Sequence, residues 1–163
     1  MDMDPVVLLA EELRMTERAL HGAVKKYEAD HCRENGDAMN GVLTALKSLH
    51  REFYQTVPTS ALGAAELVRM VAQRLPFTYA ASARHFHEIA DRLAAGRRDH
   101  ADLVWLRAMR AALGDGLCGE AGKKVAPLLG LALLGAAKPV IVFRAARPPQ
   151  RNPEEERWSL RRN

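Results

Sequence analysis

Residues 58–76, PTSALGAAELVRMVAQRLP, constrain this chain more than any other stretch, because they punctuate a helix at both ends. Pro58 disfavours helix at the residue before it, and Thr59 or Ser60 can accept a hydrogen bond from the free amides of the first turn. Leu62, Ala65, Val68, Val71 and Leu75 recur at helical spacing, and Pro76 stops the run. Gly63, Ala64 and Ala65 leave one side of the first turns thin, so a second helix can approach there. The stretch reads as the central helix, 59–75, of an all-α fold of five to six helices.

The residues before it form a hairpin spanning 4–57. Asp4 followed by Pro5 is a helix start, a capping side chain and then a proline at the first helical position. Val6, Leu9, Leu13, Thr16, Leu20, Ala23 and Tyr27 alternate by three and four, the phasing of a coiled-coil seam. In RENGD (33–37), Asn35-Gly36 is expected to close that helix and turn the chain, with Asp37 capping the next. The second helix carries Met39, Val42, Leu46, Leu49 and Phe53 at the same spacing. A short turn makes the two antiparallel neighbours. Each seam is narrow, so the hairpin must bury its stripe against the central helix or against a second copy. Leu9, Leu13, Leu20, Tyr27, Leu46, Leu49 and Phe53 are therefore the candidate interface of a homodimer or other homo-oligomer.

Beyond Pro76 the expected C-terminal helices run through 78–137. Tyr79, Ala83, Phe86, Ala90 and Leu93 share a side, and Gly96 ends that helix. Asp99 caps the next, with Leu103, Leu106, Met109 or Arg110, and Leu113 in register before Gly114. A Gly-rich link, 115–124, then leads to VAPLLGLALLGAA (125–137), Lys138-Pro139 and the strand-like VIVF (140–143). A helix apolar all round is either buried or in lipid. Pro127, Lys138-Pro139 and an uninterrupted core of only 13 residues favour the buried reading, against about 20 for a membrane span. An anchor formed by 125–143 is the alternative.

Charge and cysteines narrow the class. Residues 144–163 hold six Arg and three Glu, a net +3 out of the chain's +4, so the body is nearly neutral. A single domain over 1–143 with an Arg/Pro-rich tail at 144–163 follows. Within that tail Asn152-Pro153 and three Glu could start a short helix, and Trp158 is its one aromatic. Nucleic acid is not the expected partner, since a binding core carries its basic stripe on the folded part. Only Ala and Leu supply much apolar content: 48% of residues are hydrophobic but 6% aromatic, which favours helix. Cys32 and Cys118 are too few for a disulfide framework or zinc site and fit a reducing, cytoplasmic setting. The segment MDMDPVVLLAEEL is acidic ahead of its apolar residues, the wrong sign for a secretory leader.

No assembled chemistry emerges. His87/Asp91 and His85/Glu88 each offer two ligands on one helix face, but His85 and His87 point roughly 160° apart. A metal-binding bundle is the third reading, and no metal or cofactor is expected. Neither His21, beside the seam, nor Cys32, beside His31, has the partners of a nucleophile. Ser60 lacks a G-x-S-x-G elbow, and Gly114, Gly116, Gly119 and Gly122 lack the G-K-[ST] of a phosphate loop. Trp105 reads as core or dimer interface.

Pro58, Thr59, Gly63, Leu67, Val71 and Ala72 fit P-T-x-x-x-G-x-x-x-L-x-x-x-V-A. The segment resembles a pattern of short, uncharacterised bacterial proteins in which it follows an N-terminal helical hairpin. The resemblance covers residues 5–75 and implies that hairpin leading into the central helix; it implies no activity. The sequence thus predicts a non-enzymatic helical interaction protein that self-associates or binds a protein partner through its hairpin.

Overall fold

The apolar run at 125–137 buries one face inside the protein, while Leu134 on the other is 56% exposed. The computed structural model describes residues 3–137 and contains six α-helices, α1 (Pro5–Ala29), α2 (Arg33–Phe53), α3 (Ala61–Arg74), α4 (Ala80–Ala94), α5 (His100–Gly114) and α6 (Gly119–Ala137). No strand occurs among the described residues, and the fold is all-α. The anchor reading extends into 138–143. That segment, VIVF included, and the 144–163 tail, where a short helix is expected, lie outside the described residues.

The central position of α3 follows from its neighbours. It packs against α1, α4 and α6, while α2 lies on α1 and α5 on α6. Enclosed on three sides, α3 buries Gly63 to Val68 and Met70 to Ala72, far more than the one stripe its periodicity marks. Leu62, expected to face inward, is instead 44% exposed on the first turn. Ser60 caps the helix, its Oγ accepting from Gly63 N at 3.1 Å.

One face of α6 carries Val125, Leu128, Leu129, Ala132 and Ala136 into the core. Gly135 lets it close on the α2–α3 link: a Cβ there would sit 2.5 Å from Pro58 Cγ. The helix begins at Gly119, one and a half turns before the apolar run, so the Gly-rich segment is partly helical and not a plain link. Pro127 consequently lies inside the helix on its exposed side. A proline there costs roughly 3 kcal/mol, which the buried face offsets. No helix among the described residues is long and apolar enough to cross a membrane.

Two further expectations are corrected. Asn35-Gly36 does not turn the chain, and Asp37 does not cap; all three lie within α2. The turn is at 30–32, where Cys32 Sγ accepts from Asn35 N at 3.5 Å and the Asn35 amide donates to Asp30 O at 3.0 Å. Gly36 packs against the Tyr27 ring, where a Cβ would come within 3.4 Å, and so tightens the hairpin tip. The stretch after Pro76 starts as a 3-10 turn, Phe77–Tyr79, and α4 follows from Ala80. Its buried face adds Ile89 to Phe86, Ala90 and Leu93. Arg92 on α4 grips Asp102 on α5 through Nε and Nη2 at 2.6 and 2.8 Å.

Candidate functional site

Burial along the hairpin changes abruptly. Val6, Leu9, Ala10 and Leu13 of α1 are buried, as are Leu46 and Phe53 of α2, yet no residue from 14 to 45 is. The hairpin's base is therefore set in the core and tied to α3 as far as Arg14 and Glu17, and beyond them its distal part is an arm about 18 Å long at 1.5 Å per residue. Along the arm Leu20, Ala23 and Tyr27 of α1 and Met39 and Val42 of α2 are each half-buried, and the two helices pack on one another. At the tip Tyr27 stacks obliquely on His31, with ring centroids 5.0 Å apart.

Of the seven residues read as an interface, four belong to the core of this same chain. Leu9, Leu13, Leu46 and Phe53 are buried and leave a partner no surface. Leu20 and Leu49 are partly buried against that core, and Tyr27 remains at the arm's tip. What sequence reasoning missed is the opposite side of α1, where Leu8 and Met15 are 48% and 59% exposed.

Three polar devices hold the arm's base. The first is Asp4, a buried carboxylate at the start of α1. Its Oδ1 accepts from Val6 N at 2.8 Å, and its Oδ2 accepts from Thr59 N, Thr59 Oγ1 and Ser60 Oγ at 2.8, 3.0 and 2.7 Å. One side chain thus joins the N-termini of α1 and α3, each the positive end of a helix dipole. Burial opposes ionisation of Asp4, but these hydrogen bonds together outweigh it and hold its carboxyl below the usual value. The motif residues Thr59 and Gly63 are explained here: a Cβ on Gly63 would fall on the Asp4 carboxylate.

The second is Glu66, buried on α3. It pairs with Arg14 on α1 and with Arg69 at 2.7 Å, and Arg69 reaches Asp91 on α4 at 2.9 Å. Charges of alternating sign cross three helices, and the compensated Glu66 escapes the penalty of an isolated buried charge. Desolvation disfavours the Arg69 cation, yet its bonds to Asp91 and Glu66 prevail and raise its pKa.

The third is His50 on α2. Arg74 Nη2 donates to its Nε2 at 3.0 Å, while Glu17 Oε1 lies 3.9 Å away and Nδ1 is buried without a partner among the described residues. Burial first, then repulsion from Arg74, lowers the His50 pKa below 6.5, against the pull of Glu17. The unfolded chain then binds a proton before the folded one does. Stability from this group is present above about pH 6.5 and is lost as pH falls from there through the lower folded value. Urea melts at about pH 7.5 and about pH 5.5 should show this loss in the wild type, and His50→Gln should flatten it.

The remaining candidates are absorbed by packing. His85 stands edge-on to Trp105 with centroids 4.4 Å apart, its Nδ1 3.3 Å from Glu88, and Trp105 also meets Phe86. Asp91 is held by Arg69, so His87 has no second ligand in it. His21 is exposed on the arm, Cys32 caps α2, and Cys118 sits at φ 68° in the α5–α6 link. No group of three or more His, Cys, Asp or Glu among the described residues is placed to hold a metal ion. No protein-family model, no curated protein and no solved structure matches this chain.

Proposed function

We propose that this chain is a non-enzymatic helical interaction protein that self-associates through its N-terminal hairpin. The observation that carries the reading is the run from 14 to 45 without a buried residue, joined to a base that is buried and charge-locked. Paired helices that cover only half of their own stripe gain little from packing, and helices in water depend on that packing. An arm held rigidly at its base is suited to presenting a helix face to another chain at low entropic cost. Its flanks support the same reading, being charged with both signs as at the margins of helical interfaces. Both cysteines are free, which fits a reducing, cytoplasmic setting.

Light scattering on the full chain across about 5 to 200 µM tests it, since weak interfaces assemble by mass action. The expected mass rises toward twice the 18.0 kDa of one chain. A mass that stays at 18.0 kDa throughout overturns self-association.

A further inference from the structure

Helix α1 carries two heptad-phased stripes. One, through Leu9, Leu13 and Leu20, faces the core and α2. The other runs through Leu8, Met15, Ala19 and Gly22 on the opposite side, and every one of these is exposed. Its two large members are single, but the two small ones make a shallow place beside them into which a facing side chain fits. Among the described residues no close approach calls for a glycine at Gly22, since a Cβ there would meet nothing within 4 Å. A glycine in a helix interior costs about 0.5–1 kcal/mol relative to alanine, so its smallness must be useful elsewhere or is simply unfavourable.

The charges on this side choose the occupant. Glu11 and Glu12 lie toward the N-terminal end, Lys25 and Lys26 toward the C-terminal end, and none has an ion-pair partner among the described residues. Glu12 precedes Ala19 by seven residues and Lys26 follows it by seven, so the pattern inverts in sign about Ala19. A parallel copy would set acid on acid and base on base. An antiparallel copy sets Glu12 against Lys26 at both ends at once, and a two-fold axis makes the same patch serve both protomers.

We propose that the exposed face of α1 pairs antiparallel with the same face of a second copy, about a two-fold axis close to Ala19. This rests on the self-association reading and names its surface and symmetry. A helix face about 33 Å long and roughly 10 Å wide is smaller than the usual 800 Å² per partner. Arg18, beside the axis, meets its own copy there. Both effects make the dimer a weak one, forming at micromolar concentration.

Sedimentation equilibrium of the full chain tests this with charge reversals at exposed positions, where folding is not at stake. Lys25→Glu with Lys26→Glu, or Glu11→Lys with Glu12→Lys, should each weaken the dimer about tenfold or more, because attraction at both ends becomes repulsion. All four reversals together should return it to within about threefold of wild type. In a Cys32→Ser, Cys118→Ser background, a protein carrying Glu12→Cys should cross-link to one carrying Lys26→Cys, since a disulfide needs Cα atoms within about 7 Å. Self-cross-linking of Glu12→Cys indicates a parallel pair and overturns the proposal. A wild-type dimer indifferent to the reversals also overturns it and leaves self-association standing on another face, whereas a strictly monomeric wild type overturns both.

Discussion

Gly63→Ala is expected to destabilise the protein by about 2 kcal/mol, yet to be neutral or slightly stabilising once Asp4 has been replaced by alanine. In the wild type the new Cβ falls on the Asp4 carboxyl group, its three nearest heavy atoms all belonging to that one side chain. Either α1 backs away from α3, or Asp4 gives up some of the bonds to Val6, Thr59 and Ser60. Asp4→Ala alone removes an N-cap and leaves part-buried donors unpaired, for about 2–3 kcal/mol. With the carboxylate gone the three atoms nearest the Cβ at 63 are removed, and alanine recovers up to about 1 kcal/mol of helix propensity. Urea denaturation of the two single variants and the double variant gives the coupling directly. Additive effects would mean that Gly63 is small for some reason other than Asp4. The same lock has a pH signature: its contribution is whole above the ordinary 3.8 and is lost as pH falls through the lower folded value. Asp4→Ala should remove that part of the acid limb.

How much of this was legible follows from which interactions are local. Proline and cap residues mark helix ends through the backbone next to them, so Asp4-Pro5, Ser60 and Asp99 were readable as starts. The second role of Asp4 was not, because its partner Thr59 is 55 residues away and nothing near either residue announces the other. The tip of the hairpin was misread because Asn-Gly is a common turn pair, whereas here Asn35 lies in α2's first turn and donates its side-chain amide back to Asp30 O, and the cap is Cys32 with an unusual sulfur acceptor. Nothing beside Glu66 in the sequence marks it as buried; its pairing with Arg14 from α1, 52 residues away, and with Arg69 makes that burial tolerable. Periodicity found one stripe on α1 and attributed partner binding to it, although a regular apolar stripe is the first thing a chain covers for itself. The opposite stripe has two large apolar residues among small and charged ones, a pattern too thin to stand out until the fold shows it uncovered.

Phe53→Ala should cost about 3–5 kcal/mol, while Leu20→Ala on the arm should cost less than about 1.5 kcal/mol. Phe53 is 0% exposed at the base of α2, where the hairpin enters the core, so truncation leaves a cavity that its packed neighbours cannot fill. Leu20 is only half-buried between α1 and α2, and water or a small shift of the two helices can occupy its place. The contrast is a statement about cooperativity: the base unfolds with α3, but the arm can open alone. Amide exchange should therefore place residues 46–53 near the global stability and those around 20–42 well below it. Equal costs at Phe53 and Leu20, or equal protection, would mean that the hairpin is one unit set in the core along its whole length. If assembly occurs on the outer face of α1, arm protection should also rise with protein concentration, since a partner that binds only the closed arm stabilises it by mass action. Base protection, already limited by global unfolding, should rise only as far as dimer formation stabilises the whole fold. A low-stability arm on a high-stability base is thus what a concentration-dependent interface requires. Among the described residues none on the arm is buried, so the stabilisation a second copy brings falls where the chain alone is weakest.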